Sequence, residues 1–182
     1  FDSDAMVKAM ETQAKWSWTE VAPTPAWDTG DKGAFAQGKV GILDVGTFTC
    51  DLALSDGLEF VAKASGSKTV AMSNVWRKVR DGIRERHGLD YELHQIDHIL
   101  RNGQMVTVQG QEQDISDLAQ SAINTLASQI LAFSRERWGK ARDFKRVILT
   151  GGGAYYIADA VKETVRRNDM QQGVVKILAY WS

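Results

Sequence analysis

The chain has 182 residues, with 22 basic and 23 acidic side chains and a formal net charge of −1. That length fits one domain with a small insertion and a real core, and the balanced charge argues against a mainly nucleic-acid-binding surface, which needs a local excess of Lys and Arg. The single cysteine, Cys50, excludes an internal disulfide and a cysteine metal cluster.

No apolar run approaches the roughly 20 residues that span a bilayer, and no secretory signal is visible. Cys50 reads as a small packed residue, and a reducing cytoplasm is the simplest compartment. The sequence starts at Phe1 rather than Met, which points to a fragment, a trimmed chain or a processed product.

Residues 1–20 read as an amphipathic helix capped by Asp4, with Met6, Val7, Met10 and Ala14 at helical spacing. Val21 to Trp27 is extended, because the residue before each proline is pushed out of the helical region. Asp28 to Gly33 is turn-rich and marks a soft boundary. Residues 1–38 are therefore expected to form a helix and linker, and residues 39–182 the main domain.

Lys39 to Leu54 then reads as a hairpin: an apolar run ending in Asp44, a polar turn with Gly46 and Thr47, and a second apolar run with Asp51 near its start. The turn crowds two acids, Asp44 and Asp51, with the hydroxyls of Thr47 and Thr49. Asn-Gly or Asp-Gly would reverse the chain more simply. Asp56-Gly57 leads into a third strand, Leu58 to Ala64, followed by a loop from Ser65 to Lys68.

From Ser73 the period turns helical, with Val75, Trp76, Val79 and Ile83 on one face and Gly88 as the stop. A second helix is expected from about Tyr91 to Leu100, then a short strand at Met105–Val108. A long helix capped by Asp114 runs to Trp138, its apolar face carrying Ile115, Leu118, Ala122, Ile123, Leu126, Ile130 and Phe133. Lys145–Thr150 is a buried strand, Gly151-Gly152-Gly153 a turn, Ala154–Val165 a helix and Val174–Leu178 a last strand. Three antiparallel strands, helices with an insertion, then strand–helix–strand predict an α/β fold of the ribonuclease-H-like class, a mixed βββαβαβ sheet with helices on both faces.

The glycine turn lets a backbone approach a ligand, with the N–H groups of a helix start behind it. It is not a Walker loop, since no Gly-Lys-Ser/Thr follows, nor the dinucleotide fingerprint, which needs Gly where Tyr156 stands. Packing alone also explains such turns. At the other turn, Asp44 ends a buried strand, where a carboxylate needs a partner or a metal; hard oxygen donors suit Mg²⁺, and Thr47, Thr49 and backbone N–H groups suit phosphate. The alternative is that both acids only accept hydrogen bonds within the turn. One arrangement consistent with the sequence puts both turns at one sheet edge, facing one cleft.

His94 and His98 stand four apart, with His87 nearby and only Asp97 or Glu92 as a third metal ligand; a solvated histidine pair is the simpler reading. The basic residues between Arg77 and Arg86 suit a solvated helix face or a subunit contact better than a DNA site, and Arg135, Arg137, Lys140 and Arg142 suit the negative end of the long helix.

Asp44-Val-Gly-Thr-Phe-Thr-Cys-Asp51 resembles the second phosphate motif, D-x-G-x-x-T-x-D, of the actin, sugar-kinase and heat-shock-chaperone ATPases, and Ile148 to Ala154 resembles their adenosine motif. The intervening stretch is most similar to bacterial actin-like proteins of the ParM/StbA plasmid-segregation type, and the resemblance covers about residues 39–170. It implies that Asp44 positions Mg²⁺, through water, and the attacking water. It implies that Gly46, Thr47, Thr49 and Asp51 line the phosphates, and that Gly151, Gly152, Gly153 and Ala154 approach adenosine.

The resemblance also implies ATP and Mg²⁺ as cofactors, an inserted outer subdomain at about 73–110, and ATP-dependent filaments that move plasmid or phage DNA through an adaptor protein. Neither direct nucleic-acid contact nor a membrane is expected. The first half of such ATPases carries another phosphate hairpin, not found here, so the chain resembles the second half alone, and that half is expected to hydrolyse ATP poorly. The family usually has Gly at the position of Thr47 and Gly or Thr at that of Phe48; the ring of Phe48 either narrows the phosphate approach or points into the core. A kinase or chaperone ATPase of the same superfamily, or a degenerate scaffold, are the other readings.

Overall fold

Strand formation follows the apolar runs. In the computed structural model, which describes residues 38–139, 143–167 and 175–177, β1 (Lys39–Val45) and β2 (Cys50–Asp56) pair as an antiparallel hairpin with Asp44 opposite Asp51 and Val45 opposite Cys50. The helix and linker expected within 1–38 fall largely outside the described residues.

The third strand differs from expectation. Only Glu59–Phe60 forms β3, a 3-10 turn occupies Ala62–Ala64, and the expected loop contributes β4 (Gly66–Lys68). Both short strands pair with the same side of β2, β3 at Ser55–Asp56 and β4 at Cys50–Leu52. Ser65 makes the break between them: its Oγ accepts from the Leu54 N–H at 3.1 Å and donates to the Val61 carbonyl at 2.9 Å.

Helix α1 (Met72–His87) and α2 (Leu93–Arg101) follow, then β5 (Met105–Val108) and β6 (Gln111–Asp114) as a separate two-stranded hairpin. The polar β6 lacks the apolar alternation that would have marked it. Helix α3 (Ser116–Trp138) starts one residue after Ile115, and Asp114 serves it from β6 by accepting the Ser116 N–H at 2.7 Å. β7 (Phe144–Thr150), α4 (Ala154–Arg167) and β8 (Val175–Ile177) complete the order, with β7 parallel to both β1 and β8. The main sheet runs β3-β2-β1-β7-β8, with β4 also on β2.

Residue alternation separates the two faces of this sheet. Leu43, Val45, Cys50, Leu52 and Leu149 share one buried cluster with Val75, Val79 and Ile83 of α1, Ile96 of α2, Leu126 and Ile130 of α3, and Ile157 and Val161 of α4. Val40, Ile42, Ala53 and Ile148 form a second buried cluster on the opposite face, so the sheet is covered on both sides. Helices α1 and α3 approach closely: a β-carbon at Gly82 would lie 2.9 Å from Leu118 Cδ2. At the far end Trp138 packs on Phe144 with ring centroids 5.3 Å apart and donates Nε1–H to the Ala64 carbonyl at 2.8 Å. The basic face of α1 is largely paired: Arg80 and Arg84 hold Asp81, and Arg86 holds Asp117 of α3. No helix among the described residues is long and apolar enough to cross a membrane.

Candidate functional site

The parallel pairing of β1 with β7 decides where the two turns lie. Asp44 sits opposite Thr150, so the turn after β1 and the glycine turn after β7 leave the sheet at the same edge. The Gly153 N–H donates to the Val45 carbonyl at 2.9 Å, joining them. Gly151 has φ +88°, and a β-carbon there would fall 2.5 Å from the Val45 carbonyl oxygen and into the Asp44 carboxylate. At Gly153 a β-carbon would meet Val45 Cγ1 at 2.5 Å and Met72 Cγ at 2.9 Å, whereas at Gly152 nothing lies within 4 Å. Two of the three glycines are thus required by the junction itself, and Gly152 stands open. Ala154 is fully buried in the main core.

The hairpin turn is anchored from behind. The Gly46 N–H donates to the Thr49 carbonyl at 2.9 Å; the carbonyls of Gly46 and Thr47 accept the first N–H groups of α1, from Met72 at 3.2 Å and Ser73 at 2.8 Å. Unpaired donors of a helix start are thereby satisfied by the turn. The N–H groups of Thr47 and Phe48 make no backbone hydrogen bond among the described residues. Phe48 does not enter the core: its ring is 67 % exposed at the tip of the turn, because the anchored carbonyls hold the tip away from the sheet.

Asp44 and Asp51 lie directly opposite each other, and facing cross-strand residues share a face of the sheet. Asp51 is buried; Thr49 Oγ1 donates to its Oδ2 at 2.9 Å, while Oδ1 has no hydrogen-bond partner among the described residues. Burial raises the pKa of Asp44, and the charge of Asp51 adds to the rise. The thiol of Cys50 is pushed up to about 12 by burial and then by the two acids, which makes it an inert core residue.

A buried carboxylate oxygen without a partner, beside a second carboxylate that resists ionisation, is a donor set that a cation would relieve. Among the described residues no group of three or more His, Cys, Asp or Glu converges. A cation here would therefore draw further oxygens from water and a ligand, which suits Mg²⁺.

Sequence reasoning missed a neighbouring group. Tyr156, two residues into α4, has its hydroxyl pKa raised by burial, with the charge of Arg101 lowering it and that of Asp97 raising it. Arg101 Nε donates to Asp97 Oδ2 at 3.0 Å, and Asp97 Oδ1 is buried without a hydrogen-bond partner among the described residues. The i,i+4 spacing of Asp97 and Arg101 marks a helix pair, but only the fold brings their charges to act on Tyr156. Tyr155, 61 % exposed, stands beside Tyr156 with ring centroids 5.7 Å apart.

Residues 42–163 match the family model described as archaeal actin homologue MreB-like, C-terminal. A search of curated proteins found no match. Among solved structures, a pCBH ParM non-polymerisable quadruple mutant superposes with TM-score 0.68 at 18 % identity, covering 81 % of this chain and 44 % of that one. A ParM from a 15-stranded filament of Clostridium botulinum gives 0.68 at 17 %, covering 83 % and 45 %. The archaeal actin homologue Ta0583, in complex with ADP, gives 0.66 at 19 %, covering 80 % and 46 %.

The chain therefore spans less than half the length of these solved relatives. Their shared fold is the actin-like, ribonuclease-H-like one, a mixed α/β sheet with helices on both sides. The chain belongs to the archaeal MreB-like actin-homologue family, which it matches through that family's C-terminal domain.

Proposed function

We propose that this chain is the nucleotide-binding half of an actin-like ATPase that forms ATP-dependent filaments and moves plasmid or phage DNA through an adaptor protein. The observation that carries this reading is the hydrogen bond from Gly153 to Val45, which fixes an open glycine turn beside a paired-carboxylate turn whose Thr47 and Phe48 N–H groups make no backbone hydrogen bond among the described residues. Adenosine lies along Gly151 and Gly152, with Tyr156, Asp97 and Arg101 beside it. Gly153 and Ala154 hold the shape of that approach.

The phosphates reach Gly46, Thr47 and Thr49. Asp44 orients the attacking water, and Asp51 holds Thr49 in place through the bond from its hydroxyl. Asp44, with Asp51 behind it, would hold Mg²⁺ through water, and the ion when bound would supply electrostatic stabilisation of the transferring phosphoryl group. A carboxylate whose ionisation is opposed by burial gains more from such a cation than a solvated one does. The segment at about 73–110 covers the base and contributes filament contacts. The protein works in the cytoplasm, with ATP, its own copies and an adaptor as partners, and without direct contact to nucleic acid.

The test compares phosphate release, light scattering and electron micrographs for the full-length protein, its Asp44→Ala variant and the present chain. Full-length protein is expected to release phosphate and scatter on ATP addition; Asp44→Ala should lower turnover by about 10²-fold or more, and the present chain should be nearly inactive. Comparable phosphate release from the chain alone, or turnover without ATP-dependent filaments, would refute the proposal.

A further inference from the structure

We infer that the exposed charged stripe of α1 is a self-complementary contact, through which two copies of this chain pair about a two-fold axis with their α1 helices antiparallel. The stripe is one wall of a groove between α1 and α3. It carries Arg77, Lys78, Asp81 and Glu85, with Leu118 and Ser121 on the other wall. Steps of three and four residues keep these four side chains on one helix face, and all four are exposed. Their charges are sorted by sign: both cations lie toward the start of the helix and both acids toward its end.

Ion pairing within the chain leaves both ends of this stripe unmatched. Asp81 is held by Arg80 and Arg84, and Arg86 holds Asp117 of α3. Arg77, Lys78 and Glu85 form no ion pair among the described residues; Lys78 donates instead to the Thr125 hydroxyl at 2.8 Å. Arg77 and Glu85 stand about 12 Å apart along the axis, well beyond the three- and four-residue steps at which side chains of one helix pair. A partner of one sign would match one end of the stripe and be repelled at the other. The same stripe run backwards matches both ends. In an antiparallel copy, Glu85 of each protomer faces Arg77 and Lys78 of the other, so one patch serves on both sides, as a two-fold interface requires. Asp81, midway between Arg77 and Glu85, then falls at the axis opposite its own copy, where its two arginines offset the repulsion. Such a contact closes on itself. It is therefore distinct from the head-to-tail contact that a filament needs, and it does not depend on nucleotide.

The experiment measures self-association of the purified chain by sedimentation velocity over a range of concentrations, without nucleotide. Exposed charge pairs are individually weak, so wild type is expected to form a reversible dimer with Kd about 10⁻⁴ M. Raising salt from about 50 mM to about 0.5 M should weaken it at least about fivefold. Arg77→Glu with Lys78→Glu makes the stripe acidic throughout, and Glu85→Lys puts cations at both its ends; each variant alone should dimerise at least about tenfold more weakly than wild type. Mixed one to one, the two should pair with each other within about threefold of the wild-type affinity, because both ends of the mixed pair again join opposite charges. The replaced side chains are exposed, so both variants should keep the wild-type circular dichroism and urea midpoint. A wild type that stays monomeric at about 1 mM, variants that dimerise as wild type does, or folded variants whose mixture does not pair would each overturn the inference. None of these outcomes touches the nucleotide reading.

Discussion

Replacing the three glycines of the turn one at a time separates what the fold needs from what a ligand would need. At Gly151 an alanine meets two costs. The backbone sits at φ +88°, where a β-carbon costs about 1–2 kcal/mol. That β-carbon also falls 2.5 Å from the Val45 carbonyl oxygen and 2.8 Å from its carbon, an overlap of the kind that costs about 1–3 kcal/mol in a packed interior. Gly151→Ala should therefore lose about 2–5 kcal/mol.

Gly153→Ala has no left-handed backbone to strain but meets Val45 Cγ1 at 2.5 Å and Met72 Cγ at 2.9 Å, for about 1–3 kcal/mol. Gly152→Ala meets nothing within 4 Å and should be neutral or gain up to about 1 kcal/mol by restricting the unfolded chain. Urea unfolding followed by tryptophan fluorescence gives the three midpoints at unchanged slope. The reasoning is wrong if Gly151→Ala falls within about 0.5 kcal/mol of wild type, or if Gly152→Ala costs as much as Gly151→Ala. Because Gly152→Ala should preserve the fold, a loss of nucleotide binding in that variant alone would mark close backbone approach by the ligand.

Asp44→Asn should stabilise the chain at neutral pH. The folded state raises the pKa of Asp44 above the ordinary 3.8, so the folded protein binds this proton more tightly than the unfolded one, and stability falls as pH rises from that ordinary value through the raised one. The gain in Tm from Asn should accordingly be present at neutral pH and shrink toward acid; a gain that grows on acidification would refute the assignment.

Gly41→Ala puts a β-carbon 2.9 Å from Phe144 Cε2 and 3.0 Å from Trp138 Cη2. It should cost about 1–3 kcal/mol and alter the near-ultraviolet dichroism of Trp138, and an unchanged spectrum with unchanged stability would count against the packing described. Trp138→Phe, which removes the donor to the Ala64 carbonyl, should cost about 1 kcal/mol, read from the urea midpoint.

What could be read from the sequence divides along physical lines. The hairpin β1–β2, the strand-turn-helix around Gly151 and the faces of α1 and α3 announced themselves through apolar periodicity and glycine punctuation, and the residues expected at the two turns do lie at one sheet edge. β4 and β6 did not, because Gly66–Lys68 and Gln111–Asp114 carry almost no apolar side chains and are strands only by virtue of their backbone partners. Phe48 was open between turn and core because its direction depends on where α1 begins, more than twenty residues later. The charges of Asp97 and Arg101 act on Tyr156 only because α2 and α4 pack on one core, which no local pattern encodes.

The divided outer edge of β2 bears on how copies of this chain can join. β3 and β4 are two and three residues long, and Ser65 satisfies the Leu54 amide in the gap between them. A neighbouring molecule therefore finds no unbroken row of amides and carbonyls on this flank to extend, a device that guards soluble sheets against cross-β stacking. Ordered polymers, if built from this flank of the fold, must be held by side chains meeting side chains, and where those side chains are charged the contacts weaken with salt or a single charge reversal, conditions that amyloid would survive.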